Sequence, residues 1–212
     1  MARRALMWLL PASLLLGGCK PTAHFLWVIW PGARERKVKA EFADLPGKTV
    51  AVVVYCDKAV RYEYPQVQLT VSSRVAAELG EHVKKVQVID PRRVVRYQDE
   101  KLYWDEMDKT ELGKVFGADY VLYVALVRFS TRERGALHLY HGHLEAQAGL
   151  YQTSLPERRA RVWSAARIRV KYPKEGSIGL PGESDRKVRD EIERAFADRL
   201  AKRFYDHKVP IE

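Results

Sequence analysis

The 212-residue chain carries 37 Lys and Arg against 27 Asp and Glu, a formal net charge of +10, with 47% hydrophobic and 30% charged residues. This composition fits one globular domain with appendages, or two small domains, and excludes wholesale disorder. The charge admits a nucleic-acid partner, an anionic membrane surface or a generally basic exterior, and Lys and Arg are spread along the chain, with dense clusters only at 34–39 and 158–161.

The first predicted element is a targeting segment. Arg3 and Arg4 precede an apolar run over 5–16, broken by Pro11. That run is too short to cross a bilayer, which takes ~20 residues. It ends in Leu16-Gly17-Gly18-Cys19, which resembles a bacterial lipobox. The resemblance implies a signal peptide over 1–18, cleavage before Cys19 and acylation of its thiol with palmitate-type chains. A single acyl chain binds membranes only marginally; lipoproteins of this kind carry three, so anchoring at Cys19 is expected to be firm. Lys20 in place of the inner-membrane Asp signal leans toward the outer membrane, facing the periplasm. Export argues against a nucleic-acid partner. It also leaves Cys56 alone at the end of the run Val50-Ala51-Val52-Val53-Val54-Tyr55, where a buried, inert thiol is expected.

Residues 19–47 read as anchor and tether. Phe25-Leu26-Trp27-Val28-Ile29-Trp30 ends at Pro31-Gly32. Its tryptophans suit either a membrane interface or a strap packed on the domain, and both readings stay open. The basic stretch 34–39 suits a solvated or headgroup-facing segment.

A single α/β domain is predicted over 48–212. Residues 50–55 are continuously apolar and β-branched, as in a strand buried on both faces. A loop over 57–65 holds Tyr62 and Tyr64. Val67, Val71, Val75 and Leu79 stripe one face of a helix over 66–82. A short strand, Val86-Gln87-Val88-Ile89, leads to Asp90-Pro91, a helix start with Asp as cap and Pro in the first turn. A further helix over 108–116 presents Leu112, Val115 and Phe116, and Gly117 suits the left-handed position past its end. A second buried strand spans 118–127, and a polar turn spans 130–137.

Two alternating segments then form a long antiparallel hairpin. Leu144, Ala146, Ala148 and Leu150 share one face; Val162, Ala166, Ile168 and Val170 share the facing one. The hairpin turns at Leu155-Pro156-Glu157-Arg158. Loop-like residues 173–183 precede a helix over 184–205 with the stripe Val188, Ile192, Phe196, Leu200 and Phe204. The predicted order is β-α-β-α-β-β-β-α, a two- or three-layer domain with a mixed sheet of about five strands.

Val86-Gln87-Val88-Ile89-Asp90, then Leu112-Gly113 and Gly117-Ala118-Asp119-Tyr120-Val121-Leu122, then Trp163-Ser164, resemble the periplasmic, anticodon-binding-domain-like module. That module is shared by the curli-secretion channel lipoprotein (CsgG-like), the TolB amino-terminal domain and lipoprotein activators of penicillin-binding proteins. The resemblance covers about residues 48–205 and implies the fold; it carries no catalytic residue. A curli-type channel also needs membrane-crossing hairpins with a lipid-facing apolar row. Here His143, Glu145, Arg167 and Arg169 occupy the outer face of the one long hairpin, which favours a tethered soluble lobe.

The chemistry-bearing residues are sparse. Of His138, His141 and His143, the last two stand at i and i+2 on a strand and face the same side, and with Glu145 they are weak metal candidates; a polar strand surface is the preferred reading. Asp105/Glu106 and Asp190/Glu191/Glu193 read as solvated helix faces. No phosphate-binding glycine motif or G-x-S-x-G occurs. Tyr62, Tyr64, Tyr97, Tyr103 and Trp104 form either a recognition surface or core packing. The expectation is a non-catalytic, lipid-anchored envelope protein without a cofactor, binding an unidentified envelope protein in secretion, transport or cell-wall assembly; a homo-oligomer is possible. The alternatives are an oligomeric secretion-channel component of curli-exporter type and a His-dependent metal-binding protein or hydrolase.

Overall fold

A computed structural model of the chain describes residues 35–132, 139–173 and 184–211. Cys19, Phe25, Trp27, Trp30 and His138 lie outside the described residues. The chain divides into two units. β1 (Glu35–Val38) and β7 (His207–Pro210) pair in a two-stranded sheet; within the smaller unit Lys208 Nζ lies 2.9 Å from Glu35 Oε2.

The larger unit, Val38–His207, is an α/β domain around a five-stranded mixed sheet. Its strands are β2 (Thr49–Tyr55), β3 (Gln87–Val88), β4 (Tyr120–Arg132), β5 (Tyr140–Gln152) and β6 (Arg161–Tyr172), in spatial order β3-β2-β4-β5-β6. β3, β2 and β4 run parallel, and β4, β5 and β6 are antiparallel. The helices are α1 (Lys58–Glu63), α2 (Val67–His82), α3 (Pro91–Glu100), α4 (Lys109–Phe116), α5 (Glu157–Ala160) and α6 (Asp185–Ala201).

Strand periodicity divides the core in two. Val50, Val52 and Val54 of β2 join Leu122, Val124, Leu144, Ala146, Leu150, Ile168 and Val170 against α2 and α6. Val67, Val71, Val75 and Leu79 supply α2's stripe, and Val188, Ile192, Phe196 and Leu200 that of α6. Phe204 is buried too, although α6 stops at Ala201. On the opposite face Ala51, Val53 and Val121 meet Val94 of α3 and Leu112 and Phe116 of α4. Val115 is largely exposed: the sheet takes only the Leu112 and Phe116 side of α4.

The caps follow local chemistry. Asp90 accepts from Arg92 N at 2.9 Å, Asp108 from Thr110 N at 2.8 Å, and Gly117 ends α4 at φ +66°. The sequence places a loop over 57–65; the structure holds α1 there, because Asp57 accepts from Val60 N at 2.7 Å and closes a helical turn. β4 extends to Arg132, into the stretch expected as a turn, and the expected turn at 155–158 holds the short helix α5.

The hairpin differs in one further respect. Leu144, Ala146, Ala148 and Leu150 are buried as expected, but only Ile168 and Val170 of the facing set are. Ala146 pairs with Ile168 and Ala148 with Ala165, so β6 holds one extra residue. This bulge inverts the alternation. Ala166 turns outward, and Trp163 packs inward, edge-on to Phe204 at 4.9 Å.

Candidate functional site

At the carboxyl end of β2 the backbone leaves the sheet and two helices converge. Gln68 of α2 and Gln98 of α3 are both buried, and their Nε2 groups both donate to Val54 O, at 2.9 and 3.0 Å. Gln98 sits one helical turn after the fully buried Val94, so an amide occupies an apolar-stripe position. Its Oε1 is enclosed and has no hydrogen-bond partner among the described residues.

A cavity of about 530 Å³ opens beside these amides. Its walls are the end of β2, the first turns of α1, the end of α3 and the loop 101–106. Trp104 lies edge-on to Tyr55 at 6.2 Å. An Arg61–Asp99 ion pair ties α1 to α3. The outer lip is apolar and exposed: Leu102 is 75% exposed and Tyr103 63%, and Tyr62 on neighbouring α1 is 91% exposed. Tyr103 has φ +59°, a left-handed backbone unusual for a bulky residue.

Of the five aromatics weighed as a partner surface, two are outside, two are buried and Tyr97 is half-buried. Tyr62 and Tyr103 are exposed. Tyr64 is 4% exposed: its ring packs edge-on to Phe129 at 4.8 Å and its hydroxyl lies 3.1 Å from Thr131 Oγ1. Trp104 is 7% exposed, held against Tyr55 by the fold of its loop. Tyr97 belongs to α3 rather than a loop, packed edge-on to Phe116. Sequence reasoning passed over Gln68, Gln98 and Leu102. The available signal was a glutamine at i+4 from Val94, interrupting an amphipathic stripe.

Cys56 also lines the cavity, but burial pushes its thiol up to about 11. It is therefore protonated and unreactive at neutral pH. His141 and His143 stand side by side on β5, ring centroids 4.4 Å apart. The pair supplies two nitrogens of the four ligands a structural zinc site takes. No group of three or more His, Cys, Asp or Glu among the described residues has a metal-holding arrangement. Nearby Glu145 is held below the usual carboxylate range, chiefly by its hydrogen bond from Arg169 Nε at 2.8 Å, with Arg167 Nε at 2.9 Å. Toward β6 this sheet face is open: Gln147, Ser164, Ala166, Arg167 and Arg169 are exposed. No described helix is long and apolar enough to cross a membrane.

No protein-family model and no curated protein sequence matches this chain. Among solved structures it is similar to the PelC dodecamer from Paraburkholderia phytofirmans, at 14% identity and a TM-score of 0.48, covering 81% of this chain and 98% of that one. It is similar to lipoprotein GNA1162 from Neisseria meningitidis, at 17% identity and 0.41, covering 73% and 99%. It is also similar to TolB from Acinetobacter baumannii, at 11% identity and 0.29, covering 80% of this chain and 30% of that one. At such scores these likenesses assign neither a family nor a function to the chain.

Proposed function

We propose that this chain is a non-catalytic, lipid-anchored cell-envelope protein whose α/β lobe holds a protein partner in a secretion, transport or cell-wall assembly. The observation that carries the reading is Leu16-Gly17-Gly18-Cys19 at the end of a basic-then-apolar leader. A thiol acylated at Cys19 is the anchor, and Lys20 directs it to the outer membrane with the lobe in the periplasm. The recognition surface is the exposed apolar lip of Tyr62, Leu102 and Tyr103, aromatic-rich as binding hot spots are. Tyr103 holds a left-handed backbone on this lip, and backbone strain of that kind clusters at binding and switch regions. Self-association into a homo-oligomer is compatible with this surface.

The test has two arms. Wild-type and Cys19→Ser proteins are fractionated from cells fed an alkyne fatty acid; label and membrane retention are both lost in the variant. If Cys19→Ser keeps either, the anchor is elsewhere and the reading fails. A photo-crosslinking residue at position 62 or 103 captures one discrete envelope protein, or a second copy, whereas the same residue at position 147 on the open sheet face does not. Equal capture from all three positions refutes the assigned surface.

A further inference from the structure

We infer that the open face of β4, β5 and β6 docks on a bilayer of anionic phospholipid, its arginines and lysine meeting the headgroup phosphates. The inference rests on the proposed anchor, which holds the lobe at a membrane, and it names the face turned toward that membrane. On this side of the sheet α3 and α4 pack over Ala51, Val53 and Val121. Farther along, Arg128, Gln147, Ser164, Ala166, Arg167 and Arg169 are exposed.

The charge is strongly one-sided. The three strands hold Arg128, Arg132, Arg161, Arg167, Arg169 and Lys171 against a single carboxylate, Glu145. Register gathers these cations on the open side. Arg128, Glu145 and Arg169 form one row across the strands, and Ser130, His143 and Lys171 form the next. Glu145 Oε1 meets Arg167 Nε at 2.9 Å and Oε2 meets Arg169 Nε at 2.8 Å. Arg128, Arg161 and Lys171 are left with no carboxylate in ion-pair contact among the described residues. Arg161 borders a shallow hollow of about 300 Å³ floored by Ala125, Gly149, Ser164 and Ala166. Arg128, Arg169 and Lys171 border a second, of about 220 Å³. Small side chains between the two sets of cations let a flat array of headgroups come close.

The chemistry favours a bilayer over an acidic protein. Protein interfaces place aromatic and apolar anchors at the centre and charge at the rim. Here the charge is central, and Val127 is the one exposed large hydrophobic side chain among the described residues of β4, β5 and β6. Arginine forks match phosphate oxygens bidentately. The docked face lies on headgroups, so its charges stay out of the hydrocarbon. Reach is no obstacle. Cys19 precedes Glu35 by sixteen residues, a span of up to about 55 Å when extended, more than the about 40 Å width of a domain of this length. The anchor therefore lets any face meet the bilayer, and surface charge selects this one.

The test reconstitutes the full-length lipoprotein in vesicles of phosphatidylcholine, alone or with about a third phosphatidylglycerol. A fluorophore is placed on Gln147→Cys or, on the opposite layer, on Ser73→Cys of α2; Cys56 is buried and escapes labelling. The quencher is a lipid with a nitroxide on its headgroup. Quenching at 147 is expected only in the phosphatidylglycerol vesicles, absent at 73, and abolished at about 1 M salt, where charges are screened beyond about 3 Å. The triple variant Arg128→Gln, Arg161→Gln, Lys171→Gln spares the Glu145 pairs and should weaken docking about a hundredfold, about fivefold per charge. Removing the same charge from the exposed side of α3 and its end, with Arg92→Gln, Arg96→Gln and Lys101→Gln, should leave quenching at 147 unchanged. An unquenched position 147, equal quenching at 73, or an equal loss in the two triple variants overturns the inference. So does protection of the 147 thiol by polygalacturonate with no quenching by lipid, which would make an acidic glycan the ligand. Capture of a protein from position 147 in cells overturns it in favour of an acidic partner. Protein that reaches the vesicles but leaves 147 unquenched keeps the anchor and loses only this inference, whereas protein without acyl chains at Cys19 removes the proposed function itself.

Discussion

Gly142 lies on β5 beneath α6, where a side chain has no room. A Cβ there would meet Val188 Cγ1 at 2.9 Å and Ile192 Cγ2 closer still. Ordinary carbon–carbon contact is about 3.5–4.0 Å. Val188 and Ile192 are fully buried, and both are β-branched, so neither can swing away within its preferred rotamers. Gly142→Ala must therefore lift α6 or force a rotamer, at about 1–3 kcal/mol for overpacking. The smaller unfolded-state entropy of alanine returns about 0.4–1 kcal/mol. The net expectation is a loss of about 1–2 kcal/mol, or roughly 3–6 °C for a domain of this size. Chemical denaturation followed by circular dichroism measures it. Ile192→Ala alone costs about 2–5 kcal/mol, but it removes the clashing methyl. The double variant should then lie at least about 0.5 kcal/mol above additivity. A neutral Gly142→Ala, or strict additivity with Ile192→Ala, refutes the close approach.

Three further outcomes follow from titratable groups. Burial raises the Glu193 carboxyl above its ordinary range, despite hydrogen bonds from Thr70 Oγ1 at 2.7 Å and Arg74 Nε at 3.2 Å. The native state thus holds this proton more tightly than the unfolded state. Its contribution is full below the ordinary carboxylate range and is lost as pH rises through the raised value. Glu193→Gln should flatten the pH dependence of stability on the neutral side; an unchanged slope contradicts the assignment. Trp163→Phe keeps a ring on Phe204 but loses the indole N–H donated to Glu41 Oε2 at 2.9 Å. Burial acts to raise the Glu41 carboxyl, yet Trp163 and Arg203 outweigh it and hold it low. The variant should lose about 1 kcal/mol, and carboxyl NMR should find Glu41 titrating higher; an unmoved Glu41 means Trp163 is not its partner. For Cys56, the raised thiol and burial predict alkylation about two orders of magnitude slower in native than in unfolded protein at mildly alkaline pH. Comparable rates would show the site open.

Much of the fold is written in local patterns. The stripe Val67, Val71, Val75 and Leu79 becomes the buried side of α2, and the β-branched run 50–54 becomes a strand covered on both faces. Asp90-Pro91 and Gly117 mark helix ends because capping and left-handed backbone depend on one or two residues. β6 is where local reasoning fails. Its alternation looked continuous from Val162 to Val170, and only pairing with β5 places the extra residue that sends Trp163 inward and Ala166 out. Nothing around Gly142 marks it as a close approach, because the helix crossing it comes from a segment about fifty residues later. The aromatics divided for the same reason. Nothing near Tyr62 and Tyr64 separates them, yet Phe129 and Thr131 from β4 bury one and leave the other in solvent.

By itself the sequence determined most of the helix stripes, the caps and the buried central strands. Each depends on neighbours within a few residues, where periodicity and side-chain chemistry act directly. Only the tertiary structure decided which aromatics face a partner. It alone brought Gln68 and Gln98 to one carbonyl at the end of β2, and it alone placed the carboxylates of loop 101–106 beside them. Those groups lie on different helices and loops, and their meeting is set by sheet order and helix packing, which no local window contains.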